Sequence, residues 1–256
     1  MNANAYKFLF ASATLCAMRA FAADPLSSEP CTPFNRCTIE GAIPVVNQLY
    51  REDYNMLHGS DKRSFDLVTI GDSITCNWSV RDAEGYHALS PKGYTGVMNL
   101  GIGGDRTQHV LWRLANGELE GYTAKMFTVM IGTNNGGRDE ASIAEAIRRI
   151  VGLIRERHPE SKVVLMPIFP RSAKPDDRTR AANDRINGII EDLADGWLAD
   201  LFGCGTVRWL DFNDKFLEPD GTLTTKVMND LLHPNENGYR IWWENMQPVV
   251  KEIVGK

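Results

Sequence analysis

The sequence has no apolar run long enough to cross a membrane, which takes about 20 consecutive apolar residues in a helix. It has no block of five or six basic residues, and its formal net charge is −5. Nucleic acid, whose affinity for proteins rests on neutralised phosphates, is therefore not an expected partner. Cysteine is scarce, at 5 of 256 residues, and no two cysteines stand in a CxxC spacing. The 5 histidines (His58, His87, His109, His158 and His233) are scattered. Without clustered thiolates and imidazoles a metal site is not expected. Internal repeats and low-complexity tracts are absent too, and no linker splits the chain. What is there is ordinary for a globular protein: 43% hydrophobic and 24% charged residues, enough for one large domain with a substantial core.

The start of the chain reads as a processing segment. Met1–Lys7 is weakly positive, Phe8–Met18 is apolar, and Ala20-Phe21-Ala22 fits a small-x-small cleavage site. Arg19 fits that pattern poorly and leaves a cytosolic N-terminal helix as the alternative. The expected organisation is a signal peptide over 1–22, an N-terminal arm and helix over 23–61, and the main domain over 62–256. Within the arm, a mixed apolar pattern predicts a helix from Ile39 to Leu57. Export implies a periplasmic or secreted protein in an oxidising compartment. Cys31, Cys37, Cys76 and Cys204 would then remain, and the three pairings that they allow stay open.

From residue 62 onward, strand-like and helix-like segments alternate. Asp66–Ile70, Gly96–Leu100, Met126–Ile131, Lys162–Pro167 and Thr206–Leu210 are candidate strands. Between them, Ile143, Ile147, Ile150, Val151 and Ile154 recur at helical spacing. So do Ile186, Ile189, Ile190, Leu193 and Trp197, and later Ile241, Trp242, Met246, Val249, Val250 and Ile253. Helices with one apolar stripe need a sheet to cover, and strands apolar throughout need helices on both faces. The pattern predicts an α/β three-layer domain around a parallel sheet. Ligands in such folds bind beyond the carboxyl ends of the strands. Three predicted strand ends carry unusual residues there: Gly71-Asp72-Ser73, Gly101–Asp105 and Gly132-Thr133-Asn134-Asn135.

Ser73 falls where a strand gives way to a helix, a place with backbone N–H groups and a dipole that favour a developing anion. Capping the helix is the competing role for such a serine. Asp230-Leu231-Leu232-His233 puts an acid three residues before a histidine. On a helical turn the two would share a face, and the acid could hold Nδ1–H and leave Nε2 free as a base. An incidental salt bridge on an exposed turn is the competing reading. Backbone N–H groups of Ser73 and Gly104 and the Asn134 side-chain amide could stabilise an oxyanion. Trp78, five positions after Ser73, could stack on a sugar ring, wall the pocket or serve as a core aromatic. Trp197, Trp209, Trp242 and Trp243 are expected in the core or in helix packing. Arg106 could contact substrate or begin a solvated helix, His109 is expected to be packed, and Cys76 reads as core.

These pieces, Gly71-Asp72-Ser73-Ile74-Thr75, Asn99–Asp105, Gly132–Asn135 and Asp230–Pro234, resemble in order and wording the SGNH, or GDSL-type, hydrolases. Gly103-Gly104-Asp105, His109–Leu114 and Asn116–Glu120 are similar to the catalytic subunits of platelet-activating-factor acetylhydrolase, as is Leu232-His233 leading to Gly238-Tyr239. The resemblance covers roughly residues 65–254. It implies a flavodoxin-like fold with a five-stranded parallel sheet. It implies Ser73 as nucleophile, His233 as base and Asp230 as its orienting acid, with Ser73, Gly104 and Asn134 as the oxyanion hole. It further implies that Ile74, Thr133 and Leu232 wall a small acyl pocket, and it implies no metal or organic cofactor.

The function expected from the residues and the resemblance together is an exported serine acetylesterase acting on O-acetylated saccharides. Lysophospholipids or acetylated phospholipids are the alternative substrates, and a non-catalytic carbohydrate-binding protein on the same fold is the alternative of another class. The expected partner is a small-molecule or polysaccharide ester, with a homodimer left open.

Overall fold

The computed structural model describes residues 64–78 and 96–255. The predicted signal peptide, the arm with its helix over 39–57, Cys31, Cys37, His58 and His87 lie outside the described residues. Five strands form one sheet: β1 (Ser64–Gly71), β2 (Val97–Gly101), β3 (Thr123–Met130), β4 (Lys162–Leu165) and β5 (Val207–Trp209). Their order is β2-β1-β3-β4-β5, with every pairing parallel. Each lies within a few residues of its predicted span. Parallel strands require crossovers, and helices supply them: α1 (Ser73–Asn77), α2 (Thr107–Arg113), α3 (Glu140–Arg157), α4 (Arg178–Leu193) and the short α5 (Ala199–Phe202), with α6 (Glu236–Val254) closing the chain.

The sheet is buried on both faces, which is why its strands read as continuous apolar runs. Side chains alternate between the faces. Phe127 and Val129 of β3 join Ile143, Ile147 and Ile150 of α3 and Ile186 and Ile190 of α4 on one side. Met126 and Met130 join Ile74 of α1 and Tyr239, Trp242 and Met246 of α6 on the other. Capping fixes several of the helix starts. Asp139, Asp177 and Asn235 accept backbone N–H groups at the beginnings of α3, α4 and α6.

Trp197 departs from its sequence expectation, and Trp78 takes the core alternative among its readings. Trp197 was expected on an apolar helical stripe. The regular part of α4 instead ends at Leu193, and a wider turn over Ala194–Leu198 leaves Trp197 37% exposed under the Arg148 guanidinium, 4.4 Å from its ring centre. Trp78 was offered as a sugar-stacking surface. It is only 5% exposed and stacks on Trp242 with ring centres 4.3 Å apart, so its faces are taken by the core. Trp242 is fully buried, while Trp209 and Trp243 are partly buried and pack against the two cores.

The register brings the functional strand ends together. Gly71 at the end of β1 pairs with Gly101 of β2 and with Met130 of β3. The chain moves outward from β1 to β2 and then crosses back to β3, so the ends of β1 and β3 mark the topological switch point where open α/β sheets bind ligands.

Candidate active site

Close packing places Ser73. A Cβ on Gly71 would lie 2.0 Å from Thr75 Oγ1 and 2.5 Å from the Met130 carbonyl oxygen, and one on Gly101 would lie 2.3 Å from the Cys76 nitrogen. Only glycine lets α1 settle this deeply between the ends of β1 and β2. Asn99 fastens the arrangement, donating to the Thr75 carbonyl at 2.7 Å while its side-chain oxygen accepts from Gly101 N at 2.8 Å. Tyr239 of α6 donates to the Ile74 carbonyl at 2.6 Å. Asp72, not Ser73, caps α1, accepting from Ile74 N at 3.0 Å. Ser73 is thus the first helical residue, with its hydroxyl released from capping.

That hydroxyl meets His233 Nε2 at 2.9 Å. His233 Nδ1 in turn lies 2.6 Å from Asp230 Oδ2. The acid–histidine segment is not the helical turn that the spacing predicted. Leu231 has a left-handed backbone (φ 59°), and Asp230 Oδ1 accepts from Leu232 N at 3.1 Å and His233 N at 2.7 Å. A side-chain-capped turn therefore presents Asp230 to the imidazole from a loop, and α6 begins only at Glu236. The Asp230 carboxyl is held below its ordinary value: partial burial opposes the shift, but hydrogen bonds from the His233 side chain and backbone outweigh it.

The expected oxyanion donors come from two turns. Ile102 N donates to the Gly71 carbonyl, and Asp105 N closes a turn onto the Ile102 carbonyl. Gly104, inside that turn, has φ 81° and is exposed. Asn135 N closes the second turn onto the Gly132 carbonyl. Asn134, inside it, donates through Nδ2 to the Asp105 carbonyl at 2.9 Å, so one hydrogen bond joins the two turns. Asn135, quoted in the sequence motif without a role, locks the start of α2. Its side chain accepts from Thr107 N and donates to Thr107 Oγ1.

The expected acyl-pocket residues differ in placement. Ile74 is 1% exposed and belongs to the core under α1. Thr133 is 3% exposed and accepts from Arg171, while Leu232 is half-buried on the α6-side core. Arg106 is exposed at the start of α2, the solvated alternative of its two readings. His109 is packed as expected, with Nδ1 accepting from Arg106 N at 3.1 Å. Cys76 is half-buried and Cys204 is exposed, and these two described cysteines are not bonded to each other.

A buried ionic network supports the turn that carries Gly104, and the sequence alone did not single it out. Arg113 donates through Nε and Nη2 to Asp105 Oδ2 at 3.0 and 2.8 Å, through Nη2 to the Leu100 carbonyl at 3.1 Å, and through Nη1 to Glu118. Burial pushes the Asp105 carboxyl up to about 6 despite the opposing Arg113 charge. Asp72 is fully buried, and desolvation raises it to about 7 against the hydrogen bond from Ile74 N. The spacing of Asp105 and Arg113 offered no signal, since arginines on helices are ordinarily solvated. Among the described residues no cluster of His, Cys, Asp or Glu could hold a metal ion, and no helix is long and apolar enough to cross a membrane.

A family model for the GDSL-like lipase/acylhydrolase family matches residues 69–241, which span every strand end described above. The chain belongs to the GDSL-like lipase/acylhydrolase family. As a GDSL-type protein it falls among the carboxylic ester hydrolases. It is 40% identical over 175 residues to the alpha1 subunit of platelet-activating factor acetylhydrolase IB from Pongo abelii, covering 68% of this chain and 70% of that one. The human alpha1 subunit is 39% identical over the same length, with the same shares covered. Among solved structures, a GDSL-like lipase from Bacteroides thetaiotaomicron superposes with a TM-score of 0.62 at 16% identity, covering 79% of this chain and 97% of that one. The acetylxylan esterase Axe2 from Geobacillus stearothermophilus superposes with a TM-score of 0.53 at 18% identity, covering 73% and 94%. These structural likenesses establish the GDSL-type fold.

Proposed function

We propose that the protein is an exported serine esterase that removes small acyl groups, chiefly acetyl, from O-acetylated saccharides. The observation that carries the chemistry is the continuous chain from Ser73 Oγ to His233 Nε2 and from His233 Nδ1 to Asp230. In this reading His233 takes the Ser73 proton as the oxygen attacks the ester carbonyl, and Asp230 orients the imidazole and stabilises its cation. The oxyanion rests on the Ser73 and Gly104 N–H groups and on Asn134. One N–H of the Asn134 amide is held by the Asp105 carbonyl, which fixes the amide plane and leaves the other for the substrate. His233 then protonates the departing alcohol, and water activated by the same imidazole clears the acyl-enzyme. No metal or organic cofactor enters these steps.

The small acyl group is what the resemblance implies, with Ile74, Thr133 and Leu232 as the pocket wall; Ile74 and Thr133 are both buried, as closing a short pocket requires. The apolar start of the sequence, read as an export signal, would place the enzyme among extracellular and cell-wall polymers. Identity of 40% with a platelet-activating-factor acetylhydrolase subunit supports the second reading, an acetylated-phospholipid hydrolase. The test is a series of nitrophenyl esters beside acetate release from acetylated xylan, acetylated sialosides and acetylated phospholipids. Each methylene that cannot be accommodated forgoes about 0.8 kcal/mol of burial and adds roughly 1–3 kcal/mol of overpacking. Acetyl should therefore exceed hexanoyl by at least about tenfold in kcat/KM. A preference for octanoyl would reject the small pocket. Acetate release from phospholipid but from no saccharide would move the substrate to the second reading.

A further inference from the structure

Arg171 lies between the two loops that the proposed chemistry uses. Its Nη1 donates to the Thr133 carbonyl at 3.2 Å and to Thr133 Oγ1 at 3.3 Å, one residue before Asn134. The next residue, Ser172, donates its backbone N–H to the Leu231 carbonyl at 2.9 Å, two residues before His233. Ser172 and Leu231 are the described non-glycine residues with left-handed backbones, at φ 64° and 59°. Strain of this kind persists only where surrounding contacts over-determine it. Leu223 N donates to the Ala173 carbonyl and pins the same segment again. The guanidinium is thus held at the seam of the oxyanion turn and the acid–histidine loop.

Its electrostatics set it apart from many arginines of the fold. Arg113, Arg149, Arg157, Arg185 and Arg240 each meet a carboxylate. Half-buried Arg171 meets only the neutral oxygens of Thr133 among the described residues. Asp177 feels its charge but makes no ion pair with it; that carboxylate is half-buried, caps α4 and accepts from the Ser172 side chain. Burial, and after it the charges of Arg106, Arg113 and Arg138, push His109 below its ordinary value.

A guanidinium fork with unused donors matches a carboxylate or phosphate in geometry and charge. Resting on the esterase reading, we infer that Arg171 is a specificity-determining residue that binds an anionic group, a carboxylate or phosphate, on the alcohol portion of the ester substrate. The enzyme then favours acetyl esters of acidic alcohols over neutral ones of the same shape.

The test uses matched pairs: acetylated oligogalacturonate against its methyl ester, and 1-acetylglycerol 3-phosphate against 1-acetylglycerol. In the native protein the acidic member of at least one pair should have the higher kcat/KM by about tenfold or more. That advantage should shrink roughly threefold between about 0.02 and 0.5 M salt, as screening weakens the charge contact. The pair that responds tells carboxylate from phosphate. Arg171→Gln should cut the acidic-to-neutral ratio at least about tenfold, chiefly through KM, and Arg171→Lys should restore part of it. A merely structural arginine would lower both members equally and leave the ratio unchanged. The salt series needs no variant, so a variant that fails to fold does not suspend the test. Equal rates within both pairs at every salt concentration would overturn the inference. Loss of nitrophenyl acetate turnover in Ser73→Ala separately secures the esterase reading on which it rests.

Discussion

At the scale of single residues, the side chains of Asn134 and Asp72 make distinct demands. Asn134 bridges the oxyanion turns by donating to the Asp105 carbonyl, and in the proposed mechanism its other N–H meets charge that develops only in the transition state. Asn134→Ala should lower kcat about 10²–10³-fold with a smaller change in KM. Steady-state kinetics on nitrophenyl acetate decide it: a raised KM with unchanged kcat would make Asn134 a substrate-binding residue. Asp72 is the second case. Its carboxyl is raised from 3.8 to about 7, chiefly by burial. The folded protein therefore holds this proton up to about pH 7, and the unfolded chain releases it near 3.8. Between those values the native state binds more protons, so the group's contribution is most favourable below the unfolded value and is lost as pH rises through the window. The slope for one fully responding group is about 1.4 kcal/mol per pH unit. Asp72→Asn keeps a good capping side chain and removes the titration. Urea unfolding at pH 5 and pH 7 should show a smaller fall in stability with pH for the variant than for the native protein. Equal falls would mean that Asp72 does not carry the shift.

At the scale of elements, the fit of α1 against the strand ends governs where Ser73 stands. A Cβ at Gly101 would meet the Cys76 nitrogen at 2.3 Å, an atom of the backbone that cannot swing away. Gly101→Ala should cost about 3 kcal/mol, the upper part of the usual overpacking range. It should also lower kcat, since α1 must shift to admit the methyl group. A midpoint of urea unfolding within error of the native value would contradict the close fit. This level was also the most legible in the sequence. Apolar runs marked all five strands, the first three of them ending at a glycine, and stripes of Ile143, Ile147 and Ile150 or of Trp242 and Met246 marked helices that do face the sheet. The acid–histidine segment was legible as a pairing and not as a shape. Three-residue spacing fits a helical turn, but the hydrogen bonds from Leu232 N and His233 N to Asp230 stabilise a loop with Leu231 in the left-handed region. Trp78 was ambiguous because five positions from Ser73 says nothing of direction; only the stack on Trp242 settles that it faces inward. The Arg113 network and the setting of Arg171 had no local signal, because their partners lie in other loops or are backbone carbonyls.

At the scale of the whole molecule, a doubly covered parallel sheet converges four separate stretches of chain on one switch point. β1 and α1 bring Ser73, the ends of β2 and β3 bring Gly104 and Asn134, and the loop before α6 brings Asp230 and His233. Residues 160 apart in sequence thereby make a 2.9 Å contact. The central claim is that this contact belongs to a nucleophile and its base. The most direct measurement is hydrolysis of 4-nitrophenyl acetate by purified Ser73→Ala, with circular dichroism showing that its fold matches the native protein. Loss of a triad member ordinarily costs several orders of magnitude in rate. The account predicts a folded variant whose kcat falls by at least about 10⁴-fold. Turnover within about tenfold of native by a correctly folded Ser73→Ala protein would contradict it.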